Sequence, residues 1–170
     1  MNEIRKDQPG APADEVRISP LTVQDIPAVE EIERENYSLP WSGSAFMDAL
    51  DRDYYRFLKA ETDGRLAGYC GYLRSFETAD ITNVTVLRQF RRRGIARQLL
   101  TTLMKMGRQE GVSRFTLEVR RSNDGAIALY KSLGYREEGV RRGYYESPRE
   151  DALILSAQED IQRREDKSLL

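Results

Sequence analysis

The chain has 170 residues, with 27 lysines and arginines against 28 aspartates and glutamates, one cysteine and no histidine. This length predicts one domain with its own core, and the near balance of charge argues against strong non-specific attraction to nucleic acid. The absence of histidine excludes histidine-based catalytic triads and histidine metal sites, and one cysteine excludes an intrachain disulfide. We therefore expect acid–base chemistry on other groups and no metal.

The two ends of the chain are polar. Residues 1–14 are expected to form a mobile leader, residues 15–156 the domain, and residues 157–170 a charged tail. No apolar run approaches the roughly 20 residues that a membrane-spanning helix needs, and the start lacks the apolar stretch of a signal peptide. We expect a cytoplasmic protein with no membrane partner.

The first third of the chain predicts a strand followed by two helices. Residues 15–19 alternate like a strand, and Thr22 is suited to cap the helix that follows. The apolar side of this helix is expected to consist of Val23, Ile26, Val29 and Ile32. Ser42 or Ser44 is then expected to cap a second, short helix that runs toward Leu50.

Three strands are expected next. The segments YRFLKAE and RLAGYCGYLRS flank the turn Asp63–Gly64, which suits a tight antiparallel hairpin. The segment ADITNVTVL continues the sheet and leads directly into RQFRRRGIARQLL. After Gly94 the apolar residues recur at helical spacing, and Gly111 follows the end of that helix.

The last part of the chain predicts a strand, a helix and a closing pair of strands. RFTLEVR alternates as a strand, and the next helix is capped near Ser122 or Asn123 and ends at Gly134. YREEGVRRGYY and EDALILS form the final pair. The order β α α β β β α β α β β predicts an α/β fold with a mixed, mostly antiparallel sheet of about seven strands and helices on both faces.

The loop RRRGIA between a strand and a helix is suited to bind an anion. The first helical turn presents unpaired backbone N–H groups, Gly94 permits close approach, and Ala96 leaves room beside a ligand. Arg91, Arg92 and Arg93 add positive charge. Neither the P-loop pattern nor the dinucleotide pattern G-x-G-x-x-G is present. A solvated charge cluster and a basic patch for nucleic acid are the alternatives.

The segment QFRRRGIARQLL resembles the R-x-x-G-x-G/A signature of the GNAT superfamily of N-acetyltransferases, with Arg91, Gly94 and Ala96 in register. The element order over residues 15–156 is also similar to that superfamily. LPWS, LEVRRSNDGAIALYKSLGY and RRGYYESPREDALIL resemble the bacterial RimI group within it. The resemblance implies the GNAT fold, acetyl-CoA as cosubstrate, and direct acetyl transfer to the N-terminal α-amine of a protein. In the RimI group the acceptor is the N-terminal alanine of a small-subunit ribosomal protein.

The resemblance implies a set of residues that bind acetyl-CoA. Loop amides hold the pyrophosphate, and the edge of the strand NVTVL pairs with the pantetheine amides and supplies an oxyanion donor near Val86. Asn123 contacts the pantetheine arm; the alternative is a simple helix cap. The expected cofactor-binding residues are Val84, Val86, Arg91, Arg92, Arg93, Gly94, Ile95, Ala96 and Asn123.

Two catalytic residues are implied by the same resemblance. Glu118 is expected to accept the proton of the amine through water, and it lies on the strand face opposite Phe115, Leu117 and Val119. Its alternative role is a cross-strand ion pair. Tyr130 is expected to protonate the leaving thiolate, although packing alone would also explain a tyrosine there.

The acceptor is expected to be an α-amine, because its pKa of ~7.7–8.0 leaves roughly a tenth of it uncharged at neutral pH, far more than of a lysine. The RimI resemblance implies that Tyr144 and Tyr145 hold a peptide N-terminus against Leu39 and Trp41. Trp41 is alternatively a core residue, and adjacent tyrosines on a strand should point to opposite faces. The short segment ESPR predicts a tight hairpin. A lysine or small-molecule amine is the alternative acceptor, and direct nucleic-acid binding is not expected.

Overall fold

The computed structural model describes residues 15–158, so the predictions for residues 1–14 and 159–170 lie outside it. The strands are β1 (Arg17–Pro20), β2 (Tyr55–Thr62), β3 (Arg65–Ser75), β4 (Thr78–Val86), β5 (Arg114–Arg120), β6 (Arg136–Glu146) and β7 (Arg149–Gln158). The helices are α1 (Ile26–Asn36), α2 (Gly43–Leu50), α3 (Ile95–Gln109) and α4 (Asp124–Ser132). No helix in this described part has the length and apolar content needed to cross a bilayer.

The seven strands form one sheet in the order β1-β2-β3-β4-β5-β7-β6. Only β4 and β5 pair in parallel, and every other neighbouring pair is antiparallel. The predicted α/β fold with a mixed, mostly antiparallel sheet is therefore confirmed. The predicted end of the domain at residue 156 is two residues short, because Ala157 and Gln158 still pair with Phe115 and Arg114.

Local caps start the helices, with one departure from the prediction. Ser42 caps α2 by accepting a hydrogen bond from the Ala45 N–H (3.2 Å). Thr22 precedes a single 3₁₀ turn rather than an α-helix, and the side chain of Asp25 accepts from its N–H and its hydroxyl. Val23 lies in this tighter turn and is 50% exposed, so its prediction as part of the apolar face is wrong.

Two apolar clusters cover the two faces of the sheet. Leu58 and Cys70 pack on the face covered by α3, whereas their neighbours Phe57 and Tyr69 pack on the face covered by α1 and α2. Strand residues alternate between faces, so consecutive residues of β2 and β3 enter different clusters. Helices therefore lie on both faces, as predicted.

β4 and β5 separate soon after they meet. They pair only between Thr78–Asp80 and Arg114–Thr116. Beyond this point β4 pairs only with β3, and β5 pairs only with β7. A gap therefore opens in the middle of the sheet, between the C-terminal halves of the two strands.

Candidate active site at the gap between β4 and β5

The backbone of β4 presents alternate residues to the gap. The Leu87 N–H donates to the Ala67 carbonyl on the β3 side (2.8 Å). Because hydrogen-bonded and non-hydrogen-bonded pairs alternate in an antiparallel ladder, Thr85 also faces β3. Val84 and Val86 consequently direct their backbone groups toward the gap, which is the orientation that their predicted role with pantetheine requires.

The first turn of α3 leaves backbone donors available beside the loop. Gly94 adopts the left-handed conformation (φ 75°), and the first helical bond runs from the Gln98 N–H to its carbonyl (3.1 Å). The N–H groups of Ile95, Ala96 and Arg97 have no partner within residues 15–158. The side chain of Ile95 is buried, so only its backbone is available. This geometry provides an anion site at the helix start.

The three arginines before Gly94 differ in their contacts. Arg91 donates from Nε to the Val86 carbonyl (2.9 Å) and from Nη2 to Asn36 Oδ1 (2.7 Å). Its guanidinium therefore ties the end of β4 to the end of α1. Arg92 is exposed and has a positive φ of 62°, and the Arg93 guanidinium lies 5.5 Å from the ring of Phe90. The side chain of Arg91 therefore has a structural role in holding the loop, in addition to any contact with a ligand.

Replacing Gly94 by valine is expected to weaken acetyl-CoA binding by more than about tenfold, because the new side chain projects over the donors that should face the pyrophosphate. A Cβ at this position meets nothing within 4 Å, so the protein itself does not clash with it. The positive φ alone costs roughly 1–2 kcal/mol of stability. Calorimetry with coenzyme A and thermal unfolding separate the two effects.

Gly111 provides the matched control for this variant. It also has a positive φ (94°) and open space around its Cβ position, but it follows the opposite end of α3. Gly111→Val should lower stability by a similar amount and leave coenzyme A affinity unchanged. Equal loss of affinity in the two variants would show that Gly94 matters only for folding.

Tyr130 lies on α4 with its ring in the core. It is 8% exposed and packs on Tyr135 with ring centroids 5.6 Å apart. Its hydroxyl has no hydrogen-bond partner in the described part of the chain. Burial raises the pKa of Tyr130, and nearby Tyr37 and Tyr145 raise it further. The hydroxyl therefore stays protonated at neutral pH, as a proton donor must.

Asn123 is the cap of α4. Its Oδ1 accepts a hydrogen bond from the Ala126 N–H (3.2 Å), which is the alternative that the sequence left open. The cap uses the oxygen and leaves the Nδ2 donors for another partner. The two proposed roles of Asn123 are therefore compatible.

Glu118 projects from β5 on the face opposite the α3 core. Phe115, Leu117 and Val119 are buried, whereas the Glu118 side chain is 30% exposed. Its Oε1 lies 3.5 Å from Nε of Arg141 on β6. The cross-strand ion pair is thus present, with a partner on β6, and a partly exposed pair of this kind contributes little to stability.

The tyrosine pair on β6 departs from the predicted alternation. Three residues, 142–144, lie opposite Asp151 in a bulge that includes Gly143 (φ 60°). The rings of Tyr144 and Tyr145 consequently make contact, with centroids 5.1 Å apart, instead of pointing to opposite faces. Only residues 147–148 connect β6 to β7, so the hairpin is as tight as predicted.

Tyr145 is the less exposed member of the pair, whereas Tyr144 is 47% exposed. The Arg120 guanidinium lies 4.2 Å from the centre of its ring. Burial raises the pKa of Tyr145 to about 12; Tyr144, Glu118 and Tyr37 add to the rise, and Arg120 opposes it. Glu118, the predicted base, is thus one of the charges that act on the Tyr145 hydroxyl.

Trp41 and Leu39 have very different surroundings. The Trp41 ring packs on Phe46 (5.3 Å) and Phe57 (6.1 Å), over β2, and has no ring contact with the β6–β7 hairpin. The alternative of a packing role therefore describes it better than the predicted peptide-facing wall. Leu39 is 82% exposed and remains available for that wall.

Tyr37 reaches the gap, and the sequence interpretation missed it. Its hydroxyl lies 2.6 Å from Oγ1 of Thr85 and 3.4 Å from the carbonyl of Val84. Burial of this hydroxyl raises the pKa of Tyr37, although the residue as a whole is 40% exposed. The signal available in the sequence was an aromatic residue directly between α1 and LPWS.

A separate groove of about 560 Å³ lies between α2 and the start of β2 and includes Trp41, Asp48 and Tyr55. None of its lining residues belongs to β4, β5 or α4, so it is separate from the gap. Within residues 15–158, no group of three or more cysteine, aspartate or glutamate side chains is arranged to hold a metal ion. The predicted catalytic residues, by contrast, lie on β5 and α4.

Comparison with known proteins agrees with this geometry. The Acetyltransferase (GNAT) family profile matches residues 25–135. The chain is 35% identical to a putative ribosomal protein bS18-alanine N-acetyltransferase of Bacillus subtilis, over 79% of this chain and 90% of the relative. It is 38% identical to the ribosomal protein bS18-alanine N-acetyltransferase of Salmonella typhimurium, over 82% and 95%.

A solved structure is similar over the same region. The crystal structure of the ribosomal-protein-S18-alanine N-acetyltransferase from Escherichia coli superposes with a TM-score of 0.78 at 34% sequence identity, covering 85% of this chain and 94% of the other. The fold and the sequence similarity thus indicate the same family, and a helix start suited to bind an anion is consistent with it. This chain belongs to the Acetyltransferase (GNAT) family and is an N-acetyltransferase that uses acetyl-CoA.

Proposed function

We propose that this enzyme acetylates the N-terminal α-amine of a protein, and that its acceptor is a ribosomal protein that begins with alanine. The relatives at 35% and 38% identity, which this chain matches over nearly their whole length, are named for that acceptor. The observation that supports the proposal is the gap between β4 and β5, which Glu118 borders on β5 beyond the last paired residue. Tyr130, the proposed proton donor, is buried on α4.

The reaction requires no covalent enzyme intermediate. The thioester lies along the edge of β4, where the backbone groups of Val84 and Val86 pair with the pantetheine amides. The amine nitrogen attacks the carbonyl carbon, and Glu118 accepts the ammonium proton through water. A backbone N–H near Val86 stabilises the oxyanion. The C–S bond then breaks, and Tyr130 donates its proton to the departing thiolate.

The acceptor side of the gap is suited to bind the N-terminus of a peptide. The short β6–β7 hairpin brings the Tyr144 and Tyr145 rings together on one side, and Tyr37 and exposed Leu39 follow α1 on the other. At neutral pH an α-amine with a pKa of ~7.7–8.0 is partly uncharged, whereas a lysine with a pKa of ~10.4 is almost entirely charged, which favours the α-amine as the acceptor.

Acetyl transfer should be measured on three acceptors at neutral pH. The first is a peptide that begins with alanine and contains one internal lysine, the second is the same peptide with a blocked N-terminus, and the third is a polyamine. We expect acetylation of the free peptide only, on its first residue, because the lysine remains charged. Equal reaction of the blocked peptide would assign lysine as the acceptor, and faster reaction of the polyamine would assign a small amine.

The ribosomal acceptor is tested in cells. Mass spectrometry of ribosomal proteins from cells with and without the gene should show one acetyl group that depends on the gene, on a protein whose processed N-terminus is alanine. Unchanged N-termini, together with activity on the free peptide, would keep the α-amine chemistry and reject the ribosomal acceptor.

A further inference from the structure

Glu33 is a carboxylate buried inside the cluster beneath α1 and α2, with 1% of its surface exposed. Burying a carboxylate destabilises the fold unless hydrogen-bond donors surround it. The Trp41 N–H donates to its Oε2 (2.8 Å), and the Tyr69 hydroxyl donates to its Oε1. Burial raises the pKa of Glu33, and the hydrogen bond from the Trp41 N–H and the nearby amide of Asn83 act in the opposite direction. Hydrogen bonds from the Trp41 N–H and the Tyr69 hydroxyl thus offset the unfavourable burial of the Glu33 carboxylate.

The network continues from Glu33 to the edge of the gap. Because the Tyr69 hydroxyl gives its proton to the carboxylate, its oxygen accepts from Nδ2 of Asn83 (3.3 Å). Asn83 is buried on β4 and directly precedes Val84, whose backbone faces the gap. One carboxylate thus links the backbone of the loop after α1 to the strand that should hold the thioester.

A second contact joins the same two parts of the molecule. Tyr37, at the start of this loop, places its hydroxyl 2.6 Å from Thr85 Oγ1, two residues after Asn83 on β4. Residues 37–42, which we name the acceptor loop, are therefore tied to β4 at the start by Tyr37 and near the end, at Trp41, through Glu33. Both ties end on the same face of one strand.

We propose that Glu33 is a positioning residue that sets the acceptor loop relative to the edge of β4 and thereby aligns the incoming amine with the thioester. This inference rests on the proposed function, in which this loop receives the peptide. Its physical basis is that misplacement of reacting groups by about 1 Å can cost roughly 10²-fold in rate. Glu33 touches neither substrate, so its loss should change alignment and leave acetyl-CoA binding intact.

Glu30 offers a matched comparison on the same helix. Its Oε1 accepts from the Gly43 N–H (2.6 Å), one turn earlier along α1. It therefore also anchors the backbone that joins α1 to α2, but it makes no contact with β4 that the structure shows. Variants of Glu30 test loop anchoring alone, whereas variants of Glu33 test the link to the catalytic strand.

The experiment compares Glu33→Met, Glu33→Gln, Tyr69→Phe and Glu30→Met, with an alanine-starting peptide as acceptor and coenzyme A affinity measured by calorimetry. Glu33→Met, similar in size but unable to accept, should raise the KM of the peptide and lower kcat, together by at least about tenfold, with coenzyme A affinity within about twofold of wild type. Tyr69→Phe breaks the link to β4 and removes one donor to Glu33, but it keeps the bond from the Trp41 N–H, so it should give a smaller change of the same kind. Glu30→Met removes the acceptor of the Gly43 N–H without touching the link to β4, and its peptide kinetics should stay close to wild type.

Glu33→Gln is expected to restore most of the alignment. Its carbonyl can accept from the Trp41 N–H, and its amide can donate to the Tyr69 hydroxyl, which then donates to a flipped Asn83 amide. The side chain at position 33, Tyr69 and Asn83 therefore stay linked, with the two hydrogen bonds of the Tyr69 hydroxyl running in the opposite direction. Rescue by glutamine but not methionine is a result that a simple loss of charge would not give.

Trp41 is the sole tryptophan of the chain, so its fluorescence reports on the acceptor loop without any acceptor peptide. Its fluorescence should change in Glu33→Met and remain wild-type-like in Glu33→Gln. If Glu33→Met does not fold, Tyr69→Phe decides. Wild-type KM and kcat in folded Glu33→Met or Tyr69→Phe, or an equal defect in Glu30→Met, would overturn the inference. If the wild-type enzyme does not acetylate the peptide, the proposed function is overturned instead. Trp41 fluorescence would still test whether Glu33 positions the acceptor loop.

Discussion

Tyr130→Phe is expected to lower kcat by roughly 10²-fold or more, the usual contribution of a general acid, while the affinity for coenzyme A stays close to that of wild type. The substitution removes one proton donor and keeps the ring that packs on Tyr135. Pre-steady-state measurement of acetyl transfer, beside calorimetry with coenzyme A, separates the chemical step from binding.

Because of the surroundings of Tyr130, the phenylalanine variant should lose the proton donor and little else. Because its hydroxyl has no partner within residues 15–158, phenylalanine breaks no hydrogen bond of the free enzyme. Burial raises the pKa of Tyr130, so the wild-type hydroxyl is protonated throughout the neutral range, and its ionisation adds no step to the pH profile there. The same apolar surroundings raise the pKa of a thiol that departs beside it, which favours transfer of the proton.

Tyr135→Phe is the control for loss of a buried hydroxyl nearby. Tyr135 is 2% exposed, and its hydroxyl donates to Sδ of Met104 (3.6 Å). This variant loses a weak hydrogen bond and should keep its turnover. Equal turnover in Tyr130→Phe and wild type would remove Tyr130 from the chemistry, and an equal loss in both variants would point to packing.

Features encoded by a few neighbouring residues could be predicted from the sequence. The hairpin turn has Asp63 and Gly64 both at positive φ, and Ser42 and Asn123 cap the helices that were expected to start there. These outcomes depend on local backbone preference and on side-chain oxygens within reach of their own backbone. The order of the elements and the fold class follow from such local signals together with hydrophobic periodicity.

Features that depend on distant pairing could not be derived from periodicity. Alternation shows which face of a strand is buried, but it does not show where β4 and β5 stop pairing. An inserted residue also resets the alternation, which is why Tyr144 and Tyr145 meet across the bulge near Gly143. Periodicity alone would have left the gap and the hairpin geometry undetermined.

The candidate site shows the same division. Glu118 and Tyr130 are candidates only through resemblance to known acetyltransferases, because the sequence around them alone predicts an ion pair and a packing tyrosine. The contacts of Glu33 and Tyr37 cross from α1 to β3 and β4, at separations of 36 and 48 residues. No pattern within one element carries that information, and only the folded arrangement of α1 over the sheet brings these groups together.

Glu118→Gln is expected to lower kcat/KM for the alanine-starting peptide by roughly 10²-fold near neutral pH, with the deficit shrinking as the pH rises. Without a base, only acceptor molecules that are already uncharged can react. Their fraction grows through the α-amine pKa of ~7.7–8.0, so the profile of the variant should shift toward alkaline pH. The measurement is kcat/KM across about pH 6 to about pH 9.5, with coenzyme A affinity checked at each end.

The ion pair with Arg141 requires its own control, because Glu118→Gln removes the charge of the pair as well as the base. Arg141→Gln removes the guanidinium 3.5 Å from Glu118 and leaves the carboxylate in place. A base needs the carboxylate and not its partner, so Arg141→Gln should keep the wild-type pH profile with at most a small change in rate. If Arg141→Gln reproduces the defect, the pair organises the hairpin and Glu118 is a structural residue; if neither variant changes the profile, the proton leaves the amine by another route.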